Sequence, residues 1–177
     1  MKRRSGQTGK VNESAAKFMS DLYNSTSYGL LELSQVRLRI LDFMEKMPQE
    51  QYRIVIGTDS QPKNGSGIDF VTAIVVHRIG TGGIYFWKRI VEVKSMVLRN
   101  RIYKEAAMSL SAAEEFLSVF EKDGITKYDV EIHVDIGNNG RTKEMIAEIV
   151  GMVRGSGFRV KTKPESYGAS KVADRHT

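Results

Sequence analysis

The sequence predicts an α/β protein built on a mixed sheet. Three strand-like runs come first, Tyr52–Ser60, Ile68–Ile79 and Ile84–Val93, and short Gly-rich joins between them imply an antiparallel meander. Helical and strand patterns then alternate, and strand–helix–strand units favour parallel pairing with right-handed crossovers. Hydrophobic residues make up 41% of the 177 positions, enough for one sizeable core.

Residues 1–11 carry Lys2, Arg3, Arg4 and Lys10 among Gly and Ser, and read as a basic disordered tail. Residues 12–48 read as an N-terminal helical extension. Its first helix, Asn12–Asn24, can cap at Asn12 and puts Ala16, Met19, Leu22 and Tyr23 on one side. The polar stretch "NSTSYG" separates it from a second helix capped at Ser34. There Val36, Ile40, Phe43 or Met44, and Met47 recur at helical spacing until Pro48 stops the run. That stripe suits a covering helix or the surface of a homodimer equally.

Beyond the meander, a helix over about Asn100–Glu121 has Ile102, Ala106, Leu110, Ala113, Leu117 and Phe120 as its apolar stripe. "YDVEIHVDIG" (Tyr128–Gly137) is a strand, Arg141–Gly157 a helix, Phe158–Pro164 a strand, and Ser166–Thr177 a last helical segment. The expected sheet has five strands: three antiparallel, then two parallel, with helices flanking.

Composition narrows the function. With no cysteine, disulfides and thiolate metal sites are excluded. No stretch has the length and apolarity of a membrane span, and the basic start lacks the apolar segment of a secretory signal, so a cytoplasmic protein without a membrane partner is expected. A net charge of +6 favours a polyanionic partner, nucleic acid above all.

Four acids are placed to meet. Asp59 ends the first meander strand, and Asp135 nears the end of the fourth strand, so in parallel neighbours those ends are adjacent. Glu105 stands in the first turns of the following helix, and Asp174 on the last one. Each has a plain reading: a turn residue for Asp59, solvated surface for Glu105 and Asp174. Asp135 is harder to explain, because a charge inside the apolar run "HVDIG" is costly without compensation. Asp69, Glu92 and Asp129 fit the convergence less well. Carboxylates so grouped repel unless cations join them, and hard oxygen ligands suit Mg²⁺ or Mn²⁺. Two such ions about 4 Å apart would serve phosphodiester hydrolysis, one activating water and the other stabilising the leaving oxygen.

"GTDSQ", "HVDIG" with "NGRT" behind it, and "KPESYGASKVADRHT" resemble the YkuK-type family of uncharacterised bacterial proteins within the ribonuclease H-like superfamily. The superfamily likeness covers residues 51–177, read as one domain. It implies a ribonuclease H-like nuclease core whose catalytic and metal-binding acids are Asp59, Glu105, Asp135 and Asp174. "NRIYKEA" resembles the start of the superfamily's glutamate-bearing helix. Proofreading-type exonucleases have a His or Tyr where this chain has Ala169 or Ser170, which disfavours that class. His176 stands nearby as a proton shuttle or as a solvated residue.

His133 shares strand parity with Asp135 and is expected as a buried hydrogen-bonding neighbour of the site rather than a ligand. Arg141, Thr142 and Lys143 open a helix where free N–H groups favour phosphate, although an ordinary capped turn fits equally. In "KTKPESYGASK", Lys161, Lys163 and Lys171 supply cations for a phosphate backbone, with Ser166 and Tyr167 as hydroxyls. Tyr85 and Trp87 sit on a strand and form no evident base-stacking platform. The leading expectation is a metal-dependent nuclease acting on RNA or DNA. Its alternative is a catalytically inactive module that binds nucleic acid or the ribosome. A sugar-kinase-type phosphotransferase is poor, since it needs duplicated domains.

Overall fold

The computed structural model describes residues 21–63, 67–137 and 140–176. The basic tail and Asn12–Ser20 of the expected first helix lie outside the described residues. In chain order the elements are β1 (Tyr23–Ser25), β2 (Gly29–Leu31), α1 (Leu33–Glu45), β3 (Tyr52–Pro62), β4 (Ile68–Arg78) and β5 (Gly82–Glu92). Then come α2 (Leu98–Phe120), β6 (Val130–His133), α3 (Ile146–Gly155), β7 (Arg159–Lys161) and α4 (Gly168–His176).

They build one mixed sheet in the order β2-β1-β5-β4-β3-β6-β7. The meander is as expected: β3 pairs antiparallel with β4 from Tyr52↔Arg78 to Pro62↔Ile68, and β4 with β5 from Ile68↔Glu92 to Arg78↔Gly82. β6 joins β3 in parallel, Ile54↔Val130 to Gly57↔His133, and β7 joins β6 in parallel.

Among the described residues seven strands replace the expected five. The end of the sequence-predicted first helix is strand: Tyr23–Ser25 and Gly29–Leu31 form a hairpin that adds to the free edge of β5 at Asn24↔Trp87. The turn closes through Gly29, whose φ of 73° suits a residue without Cβ. Tyr23 is buried there, with the Lys88 ammonium 5.0 Å from its ring centre. A three-residue strand of this kind covers the edge of β5 around Trp87, where N–H and C=O groups would otherwise be exposed.

α1 starts two residues earlier than a cap at Ser34 would have it. Glu32 is the cap, and its N–H donates to Gln35 Oε1 at 2.8 Å. Val36 and Ile40 from this helix are fully buried in the core shared by α2, α3 and one sheet face. Burying two such side chains stabilises the packing by about 1.5–3 kcal/mol each. The Arg37 guanidinium grips Asp123 with two bonds of 2.6 Å, tying α1 to the chain just after α2. The opposite sheet face is covered by α4, which packs across β3 and β4. The expected helix from Arg141 splits into a 3₁₀ segment, Gly140–Met145, followed by α3. Among the described residues no helix is long and apolar enough to cross a membrane.

Candidate functional site

The strand ends that carry Asp59 and Asp135 are neighbours, because β3 and β6 run parallel and their register reaches Gly57↔His133 just before both acids. Asp59 is half-buried at this edge, and its own Oδ1 accepts the Ser60 N–H at 2.9 Å. Burial raises its pKa, and the charges of Asp135 and Asp174 push the same way. Glu105 is buried in the first turns of α2, where Oε1 accepts the Ser60 hydroxyl at 2.5 Å. Burial pushes its carboxyl up to about 7. Arg101, one turn earlier on α2, opposes the rise at both Asp59 and Glu105. Asp135 lies 3.0 Å from the Lys163 ammonium through Oδ2. Asp174 is exposed on α4.

The four acids therefore sense one another but do not assemble. Side chains alternate along a strand, so Ser60, which meets α2, points to the opposite face from Asp59, which senses Asp174 on α4. Glu105 is held by Ser60 on the α2 side of the sheet, and Asp135 is engaged by an ammonium from the loop after β7.

This corrects the metal expectation. Among the described residues, no group of three or more His, Cys, Asp or Glu side chains could hold a metal ion. The two-ion Mg²⁺ or Mn²⁺ site on Asp59, Glu105, Asp135 and Asp174 is overturned by that finding. The metal-dependent nuclease and hydrolase built on it go with it. Its physical cause is that three of the four carboxylates already have donors from the chain, Glu105 among them buried and pushed toward the neutral acid, while the fourth, Asp174, is exposed.

His133 is buried, and its Nδ1 accepts the backbone N–H groups of Tyr167 at 3.1 Å and Gly168 at 3.3 Å. With Nδ1 accepting, Nε2 carries the proton and donates to Glu131 Oε2 at 3.3 Å. Burial lowers its pKa, which keeps this tautomer neutral. It thus caps the N-terminus of α4. Gly168 sits so close to Val55 and His133 that a Cβ would strike the Val55 side chain.

Several of the expected phosphate contacts have partners within the chain. Lys163 pairs with Asp135, and Lys161 pairs with Glu165 at 2.6 Å. Lys171 stands 5.8 Å from the Tyr167 ring centre, and Lys143 is exposed. The Tyr167 ring meets His133 edge-on at 5.0 Å and His77 at 6.4 Å. Its hydroxyl and that of Ser166 are buried, not presented to a ligand. The side chains of Arg141 and Thr142 lie outside the described residues.

Several participants went unread in the sequence. Ser60 was given no role, although its place after Asp59 on a strand already put it on the other face. Arg101 and Glu105 stand four apart on one helix, a spacing that marks a neighbour pair. Asp69 is buried with Lys63 at 2.9 Å and Arg89 at 3.7 Å. His176 stacks on Trp87, with ring centres 3.6 Å apart and planes at 11°, and no sequence signal links those two.

The family described as Ribonuclease H-like matches residues 35–177. The chain is also 32% identical over 170 residues to "Uncharacterized protein YkuK" of Bacillus subtilis (strain 168), an alignment that spans 89% of this chain and 98% of that protein. No solved structure matches. The meander, its parallel additions and the match over most of its length agree: the chain belongs to the ribonuclease H-like family.

Proposed function

We propose that the protein is a catalytically inactive ribonuclease H-like module that binds nucleic acid in the cytoplasm. The observation that carries this reading is the engagement of two of the expected site carboxylates by the chain's own groups, Glu105 on α2 by Ser60 and Asp135 after β6 by Lys163. Those contacts use the acids for structure. The chain carries a net charge of +6, and Lys143, Lys171 and Arg175 are exposed, as is Arg89 at 3.7 Å from Asp69. A surface of this sign attracts phosphate backbones through counterion release, without needing a metal. Ribonuclease H-like folds host many activities, so the family alone does not supply a reaction.

The test combines binding with cleavage. Labelled RNA and DNA are titrated with the protein at low and physiological salt, with Mg²⁺, with Mn²⁺ and with a chelator. Binding that weakens with salt, survives chelation and leaves the strands intact is the expected result. Metal-dependent cleavage that disappears in Asp135→Asn, or no binding at either salt, would refute the reading.

A further inference from the structure

β5 crosses the sheet with alternating faces. Phe86 and Lys88 point inward and are buried, whereas Tyr85, Trp87, Arg89 and Val91 point to the other side. α4 lies over β3 and β4 on that side and meets β5 through His176 in its last turn. Tyr85 and Trp87 are half-exposed, Arg89 is exposed and Val91 is 55% exposed. The result is an open aromatic and cationic stripe on a sheet face.

One ring covers part of it. The His176 imidazole lies flat on the Trp87 indole, 3.6 Å between centres and 11° between planes. Tyr85 flanks both rings at 5.8 Å, and its hydroxyl meets His176 Nε2 at 3.2 Å. That is the geometry of a base stacked on an aromatic platform, supplied here by a side chain. Arg175 precedes the imidazole and Arg89 follows the indole two residues on, about 7 Å along the strand. A guanidinium beside a stacked ring suits a phosphate attached to a stacked base.

From these contacts we infer that the Tyr85–Trp87–Arg89 stripe of β5 is a stacking platform for single-stranded nucleic acid, and that His176 occupies the place of a base until a strand displaces it. The inference rests on the nucleic-acid reading above and specifies the form of the ligand. A duplex keeps its bases stacked on one another and offers no free face to Trp87, whereas an unpaired strand does. Among the described residues His176 meets two rings and one hydroxyl at the end of α4, outside the hydrophobic core, so it can swing away without disturbing that core.

Trp87 is the single tryptophan of the chain, so its emission reports this ring alone. The experiment titrates oligothymidylate of about 10 nucleotides, within the span of one sheet-based site, and a duplex of equal length. Emission of Trp87 and anisotropy of the labelled strand are read together. Expected are quenched emission, tighter binding of the single strand, weakening of about tenfold in Trp87→Leu, and tightening in His176→Ala, which frees the indole without altering β5. Binding with unchanged emission and unchanged affinity in both variants overturns the platform while nucleic-acid binding stands. Failure of both strand forms to bind overturns the platform together with the reading beneath it.

Discussion

The Ser60 hydroxyl donates to the Glu105 carboxylate across 2.5 Å, joining residues 45 positions apart. Ser60 follows Asp59 directly, yet strand alternation sends the two side chains to opposite faces. One residue of displacement along β3 thus decides which helix each partner meets. Glu105 becomes a buried hydrogen-bonding group between α2 and the sheet, while Asp59 stays on the side of α4.

Glu105 makes stability depend on pH. Burial raises its carboxyl from 4.5 to about 7, so the folded chain holds that proton more tightly than the unfolded chain does. The stabilising contribution is complete below about pH 4.5 and is lost as pH rises through about 7. Its size is on the order of 3 kcal/mol. Glu105→Gln should remove this loss and be more stable than the parent at pH 8. His133, whose pKa is lowered, acts in the opposite direction, so the difference between parent and variant is the informative quantity. Urea denaturation at pH 5 and pH 8 measures it. Equal pH slopes in the two proteins would count against a buried, proton-binding Glu105.

Divalent ions should leave the protein unmoved. A site filled at one hundred times its dissociation constant would add about 2.7 kcal/mol to folding, a rise of several degrees in Tm for a chain of this size. Thermal melts in Mg²⁺, Mn²⁺ and chelator are expected to coincide. A Mn²⁺-specific rise that vanished in Asp59→Asn would restore a metal site.

His133→Ala removes the acceptor for two N–H groups at the start of α4. Leaving buried donors unpaired and opening a cavity should together cost about 2–4 kcal/mol. Amide exchange should rise first across Gly168–His176, ahead of β3 and β4. Uniform loss of protection would mean that His133 supports the whole sheet rather than the seating of this helix.

Two glycines should respond oppositely to alanine. At Gly168 a Cβ meets the Val55 side chain, so Gly168→Ala is expected to destabilise by about 1–3 kcal/mol. At Gly151, exposed within α3, nothing lies within 4 Å of the added methyl. Gly151→Ala should therefore stabilise by up to about 1 kcal/mol. Paired denaturation curves compare them directly, and a stable Gly168→Ala would show that α4 seats less tightly on β3.

Much of the fold was readable in linear order. The long β-branched runs and Gly turns of β3, β4 and β5 marked the meander, and Val36 with Ile40 marked the buried face of α1. The hairpin of β1 and β2 was misread because Tyr23 and Leu22 fit a helical stripe until the edge of β5 competes for the backbone. Asp59 and Asp135 were placed beside each other on parallel strands from topology alone, and the register reaches Gly57↔His133 just before both, although β3 runs on past Asp59 to Pro62 and β6 ends before Asp135.

The sequence by itself determined the order of strands and helices from β3 onward, the basic charge, the lack of thiolate chemistry and the neighbouring places of Asp59 and Asp135 on parallel strands. Those properties depend on periodicity and residue type, which are local. Only the tertiary structure decided what the acids meet: Ser60 for Glu105, Lys163 for Asp135, and open solvent for Asp174. It also brought His176 onto Trp87. The reason is physical. Direction across a sheet reverses with every residue and the reach of a side chain spans only a few ångströms, so the partner of a charge or a ring depends on packing between distant segments.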